Sequence, residues 1–121
     1  MLKPFVPGRL DVLVENTKRC AVLAVRGELD SATAPRLNER LMAAIAEAPP
    51  GAGVVLDLSD VTFCGSAGVQ AVLLAGDQAR ELDRGFAVAC GPFVRRTLEL
   101  VGLRHLVGDH PTRAAALASV G

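Results

Sequence analysis

Few side chains in this sequence can do chemistry, and the most exposed to suspicion is Ser66. It falls in Val54 to Gly68, VVLDLSDVTFCGSAG, where an apolar run passes into a polar turn and small residues flank the serine at the expected start of a helix. A hydroxyl at that junction lies beside unpaired backbone N–H groups and the positive end of a helix dipole. It is suited to be a nucleophile, a phosphate anchor, a phosphorylation target or a helix cap. A hydrolase nucleophile would sit in G-x-S-x-G, at a strand-to-helix turn. Here the flanks are Cys64-Gly65-Ser66-Ala67-Gly68, with the first glycine displaced. The available imidazoles are His105, between the third helix and the last strand, and His110, just before Pro111. Both read as surface residues, and the chain is short for enclosing a substrate. As a cap, Ser66 would stabilise its helix by about 1 kcal/mol, which is compatible with a signalling role.

Other constellations are poorer still. Pro50-Gly51-Ala52-Gly53 precedes a strand instead of following one, and no Gly-Lys-Ser/Thr occurs, so no phosphate-binding loop is expected. No His, Cys, Asp or Glu set has ligand spacing, and neither metal nor cofactor is expected. Cys20, Cys64 and Cys90 are odd in number and far apart, which suits buried, reduced thiols. Asp30 reads as capping a loop, and Asp57 as binding backbone at the end of its strand.

The elements that must position these groups follow from periodicity. Residues 1–9, with Pro4, Pro7 and Gly8, read as a flexible arm ahead of a single domain over 10–121. Leu10–Glu15 is expected to be a strand, as is the apolar run Cys20–Val25, closed by Gly27-Glu28-Leu29-Asp30. Ala34, Leu37, Leu41, Ala44, Ile45 and Ala48 share one helical face, with Thr33 as N-cap and Pro35 in the first turn. Pro49-Pro50 stops that helix, and Val54–Leu58 is the next strand. A second helix is expected over Ser66–Leu82, with Val69, Leu73, Gly76 and Ala79 inward, Gly76 in close packing and Gly85 as the residue past its end. Phe86–Cys90 is a strand, Pro92 opens a third helix that Gly102 stops, Leu106-Val107 is a last strand and Pro111–Ala118 a last helix. Such alternation means an α/β fold, with a mixed, mostly parallel sheet of four or five strands, four helices and right-handed crossovers. The loops at Asp30, Cys64–Ser66 and Gly91 should then share the edge where strands end and function gathers.

Composition narrows the partners. The chain has 121 residues, half of them apolar, and thirteen basic side chains balance thirteen acidic ones. With no Lys/Arg run, no Trp, no Tyr and four Phe, it offers nucleic acid neither a phosphate footprint nor stacking platforms. The first residues lack the apolar core of a signal peptide and no stretch approaches a membrane span, so a cytoplasmic protein without membrane partners is expected. The edge strand near Leu10 is open to pairing, which leaves a monomer or a weak homodimer.

Gly27-Glu28-Leu29-Asp30, Thr33-Ala34 and Leu37, Leu56-Asp57-Leu58-Ser59, Val61-Thr62-Phe63 and Ser66-Ala67-Gly68-Val69 occur in order at characteristic spacings. Arg95-Arg96 through Leu98-Glu99 to Gly102-Leu103 fits the third helix of the same pattern. Over roughly Leu10 to Ala118 the chain resembles the STAS family, which includes bacterial anti-sigma factor antagonists and cytosolic domains of sulphate transporters. The antagonists carry Asp-Ser-Ser/Ala-Gly at this junction, and a partner anti-sigma kinase phosphorylates the first serine. The resemblance implies that Ser66 is the acceptor and that Ser59 and Thr62, which do not align with it, are not. It also implies a partner-binding edge of Asp30, Thr33, Cys64, Gly65, Ser66, Ala67, Gly68 and Gln70, with an anti-sigma factor/serine kinase as partner and a serine phosphatase to reset the switch. Gly65 stands where the family has its acidic residue, which removes a carboxylate beside the acceptor. A STAS adaptor or subunit that does not switch is the alternative.

Overall fold

A computed structural model describes residues 9–17, 19–100 and 109–120. The elements are β1 (Leu10–Asn16), β2 (Cys20–Leu29), α1 (Ala34–Glu47), β3 (Gly53–Cys64), α2 (Ser66–Glu81), β4 (Gly85–Ala89), α3 (Pro92–Leu100), β5 (Asp109–His110) and α4 (Arg113–Val120). The sheet runs β1-β2-β3-β4-β5 in space. β1 pairs antiparallel with β2, and every later pair is parallel. Antiparallel neighbours need only a hairpin, whereas each parallel pair needs a helix to carry the chain back.

Those helices bury one face of the sheet. Leu37, Leu41 and Ile45 of α1, Val69, Val72, Ala75 and Ala79 of α2, and Val94 and Leu98 of α3 pack on Leu23, Val25, Val54, Leu56, Leu58 and Val88. The opposite face is covered by α4, whose Ala116, Leu117 and Val120 sit on Val22, Val55, Ala87 and Ala89. Burial on both faces explains the unbroken apolar runs in β2 and β3. Asp57 of β3, only 8% exposed, lies under α4 and ties it down. It accepts hydrogen bonds from the Ser59 N–H at 3.0 Å and Oγ at 2.6 Å, and from Arg113 Nε at 2.8 Å. Arg113 also reaches Glu15 of β1 at 2.9 Å. Burial alone would raise the Asp57 pKa, but the Ser59 and Arg113 contacts outweigh it and hold the carboxyl below its usual range.

Several elements differ from the sequence reading. β2 does not close at Val25 but continues to Leu29 through Gly27 (φ +115°), where a Cβ would lie 2.4 Å from the Arg9 carbonyl oxygen. The polar turn expected after Leu58 is strand. β4 ends against Asp57, so β3 continues beside β2 alone and turns polar residues to solvent while burying Val61 and Cys64. Helix α2 buries Ala75 rather than Gly76, whose added Cβ would meet the Phe86 ring at an ordinary 3.7 Å, so no close packing requires that glycine. Gly85 is the first residue of β4. The left-handed residue closing α2 is Asp83 (φ 57°), flanked by Arg84 N–H to Ala79 O at 2.8 Å and Asp83 N–H to Arg80 O at 3.2 Å. The expected arm over residues 1–9 lies outside the described residues apart from Arg9. The expected stop at Gly102 and strand at Leu106-Val107 lie outside them too, and the last described strand is Asp109–His110.

Two glycine-to-alanine changes should therefore act in opposite directions. Gly76→Ala removes a helix penalty at a site with room for the methyl and should raise stability by about 1 kcal/mol. Gly27→Ala meets backbone in a left-handed conformation and should cost at least about 2 kcal/mol. Urea denaturation of both variants tests the contrast, and equal signs would contradict these roles.

Candidate functional site

β2 and β3 run past the rest of the sheet and end together, Leu29 beside Cys64. Immediately beyond, the Gly65 N–H donates to the Leu29 carbonyl at 2.9 Å, which ties the two chain exits side by side. The Asp30 turn and the start of α2 are thereby neighbours. Gly91 is not part of this junction, because the β3–β4 ladder stops at Asp57 and Ala89. His110 lies on β5, two strands from β3, and its carbonyl accepts the Cys90 N–H. His105 lies outside the described residues.

Ser66 is the first residue of α2 and is exposed; the N-cap is Gly65, with no side-chain cap. The capping role expected of Ser66 is thus absent. A side chain at the first helical position projects outward instead of folding back on the helix start. The N–H groups of a helix's first turn have no intrahelical acceptor. No acidic side chain occupies that turn. The other two hydroxyls considered at this segment are already engaged: Ser59 Oγ donates to Asp57 and Thr62 Oγ1 to the Gly27 carbonyl at 3.2 Å. Gln70 is exposed one turn beyond Ser66, and Leu74, 51% exposed, extends the same stripe.

Thr33, Cys64 and Gly68, expected to touch a partner, are buried and act from beneath. Thr33 occupies the N-cap position of α1 with Pro35 just inside, as expected, but its side chain makes no cap. Its Oγ1 donates to the Glu28 carbonyl at 2.6 Å and accepts the Asp30 N–H at 3.0 Å, closing the turn. Asp30 caps the turn ahead of the helix: its Oδ1 accepts the N–H groups of Ala32 and Thr33, each at 2.9 Å. Gly68 exists for close approach to the strand: a Cβ there would stand 2.8 Å from Leu29 Cβ and 3.1 Å from Cys64 Sγ. Cys64 is 5% exposed, and burial, with Cys90 adding, pushes its thiol up to about 11. At neutral pH its thiolate fraction is about one in ten thousand, so it is a packing thiol.

Phe63 was not singled out as a site residue. Its ring is 45% exposed and lies over Gly65, where a Cβ would come within 3.3 Å of it. Strict alternation from Val61 would turn Phe63 inward. The ladder instead passes from Gly27–Val61 to Glu28–Phe63, so Thr62 is an inserted bulge residue and Phe63 faces out. No local signal distinguishes those outcomes.

The fold and this edge define a small α/β domain that presents a loop-and-helix surface around the exposed Ser66 hydroxyl. The sequence profile of the family described as "Mlab, STAS domain" matches residues 12–108, and the chain belongs to the STAS domain family. It is 33% identical over 97 residues to the anti-sigma-F factor antagonist RsfB of Mycobacterium tuberculosis, covering 80% of this chain and 78% of that one. A crystal structure of an anti-sigma factor antagonist from Mycobacterium paratuberculosis superposes with a TM-score of 0.86 at 35% identity, over 95% and 97% of the two chains. The unphosphorylated form of the anti-sigma factor antagonist SpoIIAA shares the fold, with a TM-score of 0.73 at 21% identity over 91% and 96%. Among the described residues, no helix is long and apolar enough to cross a membrane.

Two outcomes follow. Gly68→Ala should lift the start of α2 from Leu29 and cost about 1–3 kcal/mol in urea unfolding, with amide shifts concentrated at Leu29–Thr33 and Gly65–Gln70. An unshifted spectrum would show that the contact does not seat the helix. Because the Cys64 pKa is raised on folding, its contribution is intact below about pH 9 and is lost as pH rises toward 11. Stability should fall by up to about 2–3 kcal/mol across that window, less so in Cys64→Ala.

Proposed function

We propose that the protein is an anti-sigma factor antagonist that works as a partner switch in the cytoplasm. Unphosphorylated, it docks an anti-sigma factor with serine kinase activity on the edge formed by the Asp30 turn, Gly65, Ser66, Ala67 and Gln70, and so frees a sigma factor. The observation that carries this reading is Ser66 itself: exposed, first in its helix and without a side-chain bond to any described residue, beside the junction that joins Leu29 to Gly65. Similarity to RsfB and to the mycobacterial antagonist structure supports the role.

In the switching step the Ser66 oxygen forms a bond to the γ-phosphorus of ATP, the bond to ADP breaks, and the hydroxyl proton passes to a base of the kinase. The product gains about 1.5 to 2 negative charges and three acceptor oxygens. The free amides of the first turn and the helix dipole stabilise that charge locally, so the domain stays folded. In a docked interface the same group must lose water and has no room, so the partner leaves. Hydrolysis by a serine phosphatase restores the hydroxyl. The protein is then a substrate and a ligand, not a catalyst.

Incubation with its cognate anti-sigma kinase and ATP, followed by peptide mass spectrometry, should place one phosphate on Ser66. Ser66→Ala should bind but resist modification, and Ser66→Asp should bind at least about 100-fold more weakly. A phosphate elsewhere together with unchanged binding by Ser66→Asp would overturn the switch. Gly65 favours a second reading, a constitutive STAS adaptor or subunit of a larger complex, because no carboxylate precedes the acceptor. A stable stoichiometric partner without kinase activity would establish that reading instead.

A further inference from the structure

The opposite end of β2 holds a cavity of about 540 Å³ that the docking edge does not use. It opens between the β1–β2 hairpin and the C-terminal half of α1. Along α1 the inward stripe Leu37, Leu41 and Ile45 is fully buried in the core. On the flank that faces the hairpin, the apolar wall from α1 and the loop after it is made of small residues, Ala43, Ala44, Ala48 and Ala52 with Pro49, and Arg40 and Glu47 stand beside them. No large apolar side chain of the helix lines the space; Val14 and the buried Cys20 line it from the strands, with Asn16 and Thr17 at the hairpin. The result is a cleft of mixed lining, apolar on its alanine wall and polar around it, within the size range of small-molecule sites.

Its rim is cationic. Arg19, at the hairpin, and Arg40, on α1, both border the cavity. Neither guanidinium takes part in any hydrogen bond or ion pair with a described residue. Three arginines around the sheet are already engaged: Arg36 donates to the Leu10 carbonyl at 3.0 Å, Arg84 to the Ala48 carbonyl at 2.9 Å, and Arg113 binds two carboxylates. Glu47 also borders the cavity, leaving one net positive charge from these three groups. Guanidinium groups match carboxylates in a planar, paired geometry that a lysine cannot reproduce.

We propose that this cleft is a binding site for a small amphipathic carboxylate, its acid group held by Arg19 and Arg40 and its apolar body laid against Val14, Cys20, Ala44 and Ala48. β2 separates the cleft from Ser66 by roughly 25–30 Å along the strand, so an occupant does not obstruct the docking edge. The inference is independent of the phosphorylation switch.

Sodium octanoate is a suitable probe, with 1-octanol as its uncharged counterpart. Titrated into the ¹⁵N-labelled full chain, octanoate should shift amides of residues 14–21 and 40–52 and leave Gly65–Gln70 unmoved. Octanol should bind at least about tenfold more weakly, and Arg19→Gln and Arg40→Gln should each weaken octanoate by about tenfold. Ala43→Leu, an exposed helix position bordering the cleft, should also weaken both probes, with an unchanged melting transition as the check on folding. No saturable shift up to about 5 mM octanoate would overturn the site. So would shifts spread over the whole surface, or affinity unchanged in the double variant Arg19→Gln/Arg40→Gln.

Discussion

The absence of a side chain at Gly68 governs the rest of this edge. With no Cβ there, α2 settles onto Leu29 and Cys64 at a separation any larger residue would prevent. That contact matters because β2 and β3 have outrun β4 at this point and have no further strand to brace them. The start of α2 supplies the brace, with the Gly65 N–H closing on the Leu29 carbonyl. A helix seated so closely has its first residue fixed in direction, and that residue is Ser66. Presentation of the hydroxyl is therefore a consequence of packing one turn further along the chain.

The charged framework lies elsewhere. Asp57, Arg113 and Glu15 join β3, α4 and β1 on the face of the sheet that α4 covers. Breaking such a group by removing one partner is far more damaging than its net contribution suggests, since a buried charge is left behind. Asp57, with its carboxyl held below the usual range, contributes stability above ordinary carboxylate pKa values and loses it as pH falls below them. Around Ser66, by contrast, α2 carries no acid in its first turn, and Oδ1 of Asp30 is taken up by two backbone N–H groups of its own turn. Charge added at Ser66 is felt there without disturbing the network under α4.

Much of this was legible in the chain and the remainder fails for identifiable reasons. The α1 stripe, the start of α2 at Ser66, and the alternation of strands with helices all follow from local periodicity, which burial on one face enforces. Gly27–Leu29 and Ser59–Cys64 were not readable as strand. β2 passes through the positive φ of Gly27, an inserted residue at Thr62 breaks the two-residue period of β3, and β3 changes from doubly buried to half-exposed where β4 stops. On the inward face of α2, Val69 and Ala79 are buried as expected, but Val72 and Ala75 are buried in place of Leu73 and Gly76. Small residues on both flanks left the helical phase under-determined. The roles of Thr33 and Arg113 depend on partners across a turn or 56 residues away, which spacing does not encode.

Small residues also mean different things at the two ends of the β2–α1 unit. At the Ser66 end the space vacated by Gly68 is filled at once by Leu29, so the glycine increases packing. At the other end Ala44 and Ala48 vacate space that no apolar side chain of α1 reclaims, and the cleft stays open beside Arg19 and Arg40. A larger apolar side chain on that flank would remove surface from water and add to stability at about 25 cal/mol per Å². Leaving it small forgoes that gain, while two guanidiniums stand at the rim without a described protein acceptor. An open cleft with an apolar wall and two guanidiniums at its rim is poor design for a core and good design for holding an anion with an apolar body, which is why the same unit is read as filled at one end and receptive at the other.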